Sequence, residues 1–367
     1  MNRTWYQQLQ VLEDEQNPLD VRGRLTAMCG PLLYWYDHHA RTLPWREDPR
    51  PYQVWISEIM LQQTRVEAVK PYFARFMNEL PTITALADVS EDRLMKLWEG
   101  LGYYSRARNL RKAARMIVDN YGGRMPSGYE ELLGLPGIGS YTAGAIASIA
   151  FGKAVPAVDG NVLRVISRVL ASRRDILKQS TKKWMETELA GMIPPDQAGR
   201  FNQGLIEIGA VVCIPNGRPR CQECPLESLC LTKREGLFKE IPVKAKPNQR
   251  RIEKRTVGIL EYQDQVGLKK RPDTGLLAGL YELPNTEGHL KPEELADAFF
   301  LKPEDIDVIE RLPDAKHIFS HVEWHMAGYR ILLGRPLPAG FLAVPKEHVN
   351  TGYALPKAFG RYMKLIK

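Results

Sequence analysis

Four of the five cysteines fall in one short stretch, Cys213, Cys221, Cys224 and Cys230, spaced C-x7-C-x2-C-x5-C. Four converging thiolates form a soft-sulfur cage, a donor set that selects an iron–sulfur cluster or zinc. The run lacks the paired short turns of a zinc ribbon. Unequal loops wrapping a single segment favour a four-iron cubane. A disulfide framework needs an oxidising compartment, and nothing else in the chain points to one. Met1 to Gln10 is polar and reads as neither a signal nor a transit peptide, and no apolar run is long enough to span a membrane. The expectation is a cytoplasmic protein with reduced thiols and no membrane partner. Cys29 lies far from the run and is expected to be dispensable for metal.

A second group able to do chemistry is Leu135-Pro-Gly-Ile-Gly-Ser-Tyr-Thr-Ala-Gly-Ala145. Pro136, Gly137 and Gly139 make a tight turn, and a helix starts near Ser140. Backbone N–H groups exposed at such a start form a ready anion site. The alternative is an ordinary corner between two helices.

These groups need a scaffold, and the 367 residues suffice for two or three domains. Residues 20 to 235 read as helix after helix, with apolar positions at 3.6 spacing. Val54 to Met77, Glu91 to Trp98, Ser105 to Tyr121, Ser140 to Ala150 and Asn161 to Leu170 are examples. In Ser105 to Tyr121, Arg108, Arg111, Lys112 and Arg115 recur at i, i+3, i+4, i+7, with Arg106 nearby. Leu110, Ala113, Ala114 and Ile117 occupy the opposite face. A net charge of +8 permits a polyanionic partner without requiring one. Residues 236–254 read as an exposed basic linker. Beyond it Arg255 to Tyr262, His325 to Leu333 and Leu342 to Val344 carry strand composition, with one helix near Pro292 to Phe300. The second domain, 255–367, is expected to be α+β.

The hairpin and the cysteine run, in this order, resemble the endonuclease III superfamily of DNA glycosylases, and more closely its adenine DNA glycosylase family. The resemblance rests on LPWR at 43–46, WISEIMLQQTRVEAVKPYF at 55–73, WEGLGYYSRARNL at 98–110, LPGIGSYTAGA at 135–145 and PAVDGNV at 156–162. It implies a multidomain chain. An all-α helix-hairpin-helix glycosylase domain over 1–235, with an iron–sulfur cluster loop at 213–230, precedes an α+β Nudix-like domain. In the family the first cysteine interval usually has six residues, whereas Cys213 and Cys221 enclose seven. The loop carries Pro215, Gly217 and Pro219, which can absorb the extra one. The implied cofactor is one [4Fe-4S] cluster, and the implied partner is double-stranded DNA containing A·8-oxoG or A·G mispairs, bound by a monomer.

Releasing a purine from deoxyribose builds negative charge on the base and positive charge on the sugar. Two carboxylates with separated pKa values suit that task. Glu58 sits one turn into a helix beside Trp55, Ile59 and Leu61, and apolar company raises a carboxyl pKa. A glutamate favoured by the helix dipole is the other reading of its position. The resemblance makes Glu58 the general acid that protonates adenine at N7. Asp159 precedes a helix starting near Asn161 and reads as its N-cap, an environment expected to keep the carboxylate ionised. The resemblance makes Asp159 the group that stabilises the sugar cation or captures it covalently, with Asn161 supporting it.

At position 141 the bifunctional relatives carry a lysine that attacks the sugar. Tyr141 cannot form a Schiff base, so a monofunctional enzyme is expected, with an endonuclease III-type glycosylase/AP lyase as the alternative. By resemblance Arg41, Trp45, Arg46 and Gln203 line the adenine pocket, Gln63, Thr64 and Tyr103 enter the duplex, and Gly137 and Gly139 hold a phosphate. Arg271 to Pro284 resembles the approach to a Nudix helix, but the acidic REXXEE cluster for magnesium is missing. His317-Ile-Phe-Ser-His321 resembles the loop that recognises 8-oxoguanine, through Phe319, Ser320 and His321.

Overall fold

The computed structural model describes residues 19–245 and 249–366. The chain divides into two compact units that are not consecutive in sequence. The described residues of Met1–Ala87 and Leu110–Lys246 form one, and those of Asp88–Asn109 and Pro247–Lys367 form the other. The elements used below are α1 (Cys29–His39), α2 (Pro51–Leu61), α3 (Val66–Glu79), α4 (Glu91–Trp98), α5 (Ser105–Tyr121), α6 (Tyr129–Leu133), α7 (Ser140–Ala145), α8 (Gly160–Val169) and α9 (Ala198–Val211).

The first unit is helical. Pro51 opens α2 at its first turn, where a missing N–H costs nothing, and every residue from Val54 to Met60 is buried. A helix buried on all sides belongs at a centre. The expected single helix from Val54 to Met77 is two, because the chain turns at Gln62 and Gln63 takes φ +57°. No glycine or proline marks that break. Helix α7 passes without interruption into a π-helical turn, Ile146–Ala150, so the expected length of that helix stands.

Asp159 caps α8, accepting from the backbone N of Asn161 and of Val162, both at 2.8 Å. Val162, Ile166, Phe201, Leu205 and Ile208 from α8 and α9 share one core with Leu226 and Leu229, and Cys213 and Cys224 pack against it. The cysteine segment is therefore seated on the two helices that border Asp159. Gly209 allows their close approach: a Cβ there would lie 2.5 Å from Asn161 Cβ and 3.0 Å from its Cα.

The second unit is a mixed sheet, covered on both faces. Among the described residues it contains β1 (Arg251–Tyr262), β2 (Gln265–Lys270), β3 (Tyr281–Glu282), β4 (Asn285–Glu287), β5 (Ile306–Ile318), β6 (Val322–Leu333) and β7 (Leu342–Pro345). The order is β3-β2-β1-β6-β5, with β4 against β1 and β7 against β2. Strands β1 and β6 run parallel, Val257 opposite Gly328, and the remaining pairs are antiparallel. Val257, Ile259, Trp324 and Met326 face Phe359 and Tyr362 on one side. Leu260, Tyr329 and Ile331 face Leu295 and Phe299 on the other.

Strand β1 begins at Arg251, so the last four residues of the expected basic linker are strand, paired with Val322–His325 of β6. Strands β2 and β5 were not expected. Helix α4 and the start of α5 belong to this unit, although they precede the hairpin in sequence. Lys96 Nζ donates to the carbonyls of Asn350 (2.6 Å) and Tyr353 (3.0 Å), and Glu99 Oε1 accepts from Leu355 N (2.9 Å).

Gly209→Ala is expected to force α8 and α9 apart at Asn161. Overpacking of this kind costs about 1–3 kcal/mol, against the small gain in helix propensity from alanine. A lowered Tm is the expected result, and an unchanged melting curve would remove Gly209 from the packing argument.

Candidate active site

One cavity of about 450 Å³ in the helical unit gathers most of the expected site residues: Arg41, Trp45, Arg46, Glu58, Gln63, Thr64, Tyr141, Asp159, Asn161 and Gln203 all line it. Glu58 lies well into α2, seven residues from Pro51, which removes the helix-dipole reading of its position. The residue is 7% exposed, and its carboxyl accepts a 2.5 Å hydrogen bond from Tyr141 Oη at Oε2. Burial pushes its pKa up to about 7, opposed by the Tyr141 hydrogen bond and the Arg46 charge and assisted by Asp159. A carboxylic acid is thus half-protonated near neutrality, as a general acid should be. Burial and the Glu58 charge together raise Tyr141 well above an ordinary phenol, so it stays a donor.

Asp159 Oδ1 takes the two capping N–H groups and Oδ2 accepts from Asn161 Nδ2 at 2.8 Å. The cap stands as expected. Burial raises the pKa, outweighing the cap's hydrogen bonds and the Arg164 charge, which favour the ionised form.

Two groups had escaped the sequence reading. Arg164, buried inside α8, donates to Asn161 Oδ1 (2.8 Å), Gly209 O (2.7 Å) and Cys213 O (2.8 Å). Glu207 on α9 is fully buried and joins both pocket arginines: Oε1 accepts from Arg41 Nε (2.6 Å), and Oε2 from Arg41 Nη2 (3.0 Å) and Arg46 Nη2 (2.8 Å). Burial alone would raise Glu207, but the hydrogen bonds and charges of Arg41 and Arg46 hold it down at about 2. Apolar helix positions at 202–208 gave no sign of an arginine partner so far upstream.

The four clustered cysteines, Cys213, Cys221, Cys224 and Cys230, are free thiols lining one small cavity together with Arg168, Pro219 and Phe238. Arg168 Nη1 donates to Cys213 Sγ at 3.2 Å. Four sulfurs round one space, with a cation beside them, fit a polynuclear sulfur-ligated centre. Among the described residues no group of three or more His, Cys, Asp or Glu is gathered tightly enough for a single metal ion. Cys29 is separate and donates weakly to Met192 O.

In the hairpin Gly137 has φ +78°, the left-handed region that favours glycine, and Gly139 is the N-cap of α7. The second unit has its own cavity, of about 800 Å³, bringing Tyr103 together with Phe319, Ser320 and His321. Tyr103 Oη and Ser320 Oγ are 2.7 Å apart. Phe319 is held edge-on between His317 and Trp324, with ring centroids at 4.6 and 5.0 Å. Tyr103 (φ +48°) and Gln63 (φ +57°) both occupy left-handed backbone, unusual for non-glycine residues. Strain of that kind concentrates at functional positions. On the basic face of α5, Arg106 is buried against Trp98 and donates to Leu101 O and Gly102 O, Arg108 donates to Ala278 O at 2.6 Å, and Arg115 donates to Ala87 O at 3.0 Å.

Comparison with known proteins agrees with this arrangement. Residues 56–195 match the HhH-GPD superfamily of base excision DNA repair proteins, and 256–365 match the NUDIX domain. The chain is 36% identical to the adenine DNA glycosylase of Homo sapiens, over 86% of this chain and 69% of that one. It is 35% identical to the adenine DNA glycosylase of Buchnera aphidicola subsp. Baizongia pistaciae, over 83% and 86%. The chain belongs to the adenine DNA glycosylase family. It is accordingly an enzyme, a hydrolase acting on N-glycosyl bonds of adenine in DNA. Among solved structures it resembles a thermostable thymine-DNA glycosylase (28% identity, TM-score 0.52, 58% of this chain and 97% of that one). It also resembles an endonuclease III trapped as a covalent intermediate with DNA (25%, 0.51, 60% and 100%).

The buried carboxyl of Glu58 carries a testable cost. Its folded pKa, about 7, stands above the ordinary 4.5, so the folded state binds the extra proton between those values. Stability is therefore lost as pH rises from the ordinary value through 7, by about 3 kcal/mol in all. Glu58→Gln removes that penalty and is expected to raise Tm above neutral pH while base release falls by about 10²–10⁴-fold. Parallel melts at acid and alkaline pH, with single-turnover excision, check both. A Tm difference independent of pH would contradict the raised pKa.

Proposed function

We propose that the enzyme excises adenine paired with 8-oxoguanine, or with guanine, and stops at the abasic site. The 2.5 Å Tyr141–Glu58 hydrogen bond in a cavity shared with Asp159 carries this reading. Glu58 delivers its proton to adenine N7 as the glycosidic bond breaks, and Tyr141 holds the carboxyl in place. Asp159, held by Asn161, faces the sugar cation with its negative charge. No lysine stands among the described residues of the cavity wall, and Lys153 is turned to Ser127 Oγ at 3.4 Å. That supports hydrolysis without Schiff-base chemistry.

Selection of the opposite base is assigned to the second unit. Ser320 hydrogen-bonds the oxidised edge, Phe319 and His321 hold the loop, and Tyr103 stacks into the duplex while Gln63 and Thr64 approach it from the first cavity. Gly137 and Gly139 take a phosphate without reading sequence. Extrusion of the adenine is required for it to reach Glu58. The enzyme works as a monomer. Its lesion-reading part is 255–367 together with Asp88–Asn109, and the excision part is the remainder of 1–235. The Nudix-like domain recognises rather than hydrolyses.

Cys213, Cys221, Cys224 and Cys230 would hold one [4Fe-4S] cluster, which supplies a cross-link for the segment beside Arg164 and Arg168. The purified protein is expected to be brown with about four irons per chain, and Cys224→Ser to lose them while Cys29→Ser does not. Stoichiometric zinc after iron-replete, anaerobic purification would overturn the assignment.

An A·8-oxoG duplex tests the reaction. Strand breaks are expected only after alkali, with little borohydride-trapped complex; efficient nicking by the enzyme alone would favour the lyase reading. Changing Phe319 and Ser320 to Ala is expected to weaken preference for A·8-oxoG over A·G, and the hydrogen bond alone contributes about 0.5–1.5 kcal/mol. Equal losses on both duplexes would make the second unit a general DNA clamp.

A further inference from the structure

We propose that Glu207 is the positioning residue of the base pocket, fixing the Arg41 and Arg46 guanidiniums on its wall and balancing their charge next to Glu58. The two arginines come from a stretch with little regular structure of its own, between α1 and α2, where only Pro44–Glu47 makes a helical turn. Glu207 comes from the third turn of α9, packed in the core that also holds α8. It accepts from Arg41 Nε and Nη2 and from the Arg41 backbone N (3.1 Å), so it fixes backbone as well as side chain. Its remaining lone pair takes Arg46 Nη2, whose other nitrogen donates to Arg41 O at 3.1 Å.

The Glu207 side chain is 0% exposed, against 35% for Arg41 and 14% for Arg46. The carboxylate is therefore the hidden support, while the guanidiniums present donors to the cavity. A planar fork held at both ends suits recognition of a base edge.

The charge balance matters as much as the geometry. Two guanidiniums and one carboxylate leave one net positive charge on that wall. Glu58 is faced by Tyr141, Asp159 and Arg46, and Arg46 pulls its pKa down. Glu207 is faced by Arg41 and Arg46, with Tyr36 alongside, and Arg41 also feels Glu67. Removing the Glu207 charge leaves Arg46 unopposed, so Glu58 loses its proton at lower pH.

The test is single-turnover adenine excision by the full chain, followed across the neutral pH range and paired with duplex affinity. Glu207→Gln is expected to slow excision by about 10–100-fold, as displacement of a positioning contact does, with duplex affinity nearly unchanged. Its alkaline limb is expected to move to lower pH. Glu207→Asp keeps the charge, so its rate falls but its limb stays. A folded Glu207→Gln variant with the parent rate and limb would overturn the proposal, as would equal rate losses in both variants with an unmoved limb.

If Glu207→Gln does not fold, a double-mutant cycle of Glu207→Asp with Arg46→Lys decides. Non-additive rate losses support the positioning role and additive ones refute it. The pH readout rests on Glu58 as the acid. A parent profile with no limb near neutrality would refute that assignment, and the same cycle then decides Glu207 on its own.

Discussion

Every part of the helical unit answers to one difficulty: ionisable groups must be kept dry without losing the charge state their task needs. Burying a carboxyl costs its charged form several kcal/mol unless partners restore the lost solvation. Glu58 has few such partners, one phenol and the distant field of Arg46, and so it holds a proton near neutrality. Glu207 has two arginines and stays ionised. Asp159 lies between these cases, with three hydrogen bonds and still a raised pKa. Three buried acids in one cavity wall differ in how far burial shifts them because they differ in donors, and the backbone decides which donors each one meets.

The donors of Asp159 arrive through α8, against which α9 packs. The cap of α8 brings Asp159 and Asn161 into the cavity, and the next turn brings Arg164 beneath them. Arg164 spends its guanidinium on Asn161, Gly209 and the Cys213 carbonyl, so Asn161, which holds Asp159, and the first cysteine of the run lean on one group. A close contact of the two helices at Gly209 makes this possible. The cysteine segment in turn packs on the same core. All three contacts converge on the start of α8, where Asp159 sits.

Much of this was legible in the chain, for reasons that are local. The apolar neighbours of Glu58, the cap position of Asp159 and the glycines of the hairpin are all written within a few residues of the feature they create. Glu207 was not legible, because its partners lie 161 and 166 residues away and a lone glutamate on an apolar helix gives no hint of them. Strand β5 was hidden for a different reason. It is an edge strand carrying Glu310, Arg311, Asp314 and Lys316, and charged edges protect a sheet from further pairing while erasing its periodic signal. Strand β1 was set too short because its first residues are basic, and the parallel ladder that holds them comes from β6. The break after α2 left no signal at all, since Gln63 takes a backbone conformation that glutamine seldom adopts.

The two cavities differ in their exposure to solvent. Glu58, on the wall of the first, is 7% exposed, and that burial raises its carboxyl. Tyr103, on the wall of the second, is 44% exposed. Its left-handed backbone and its hydroxyl contact with Ser320 hold it in that exposed place at some conformational cost. The segment that carries it, Asp88–Asn109, folds with the sheet, so the exposed aromatic is braced by a core other than the one that keeps Glu58 dry.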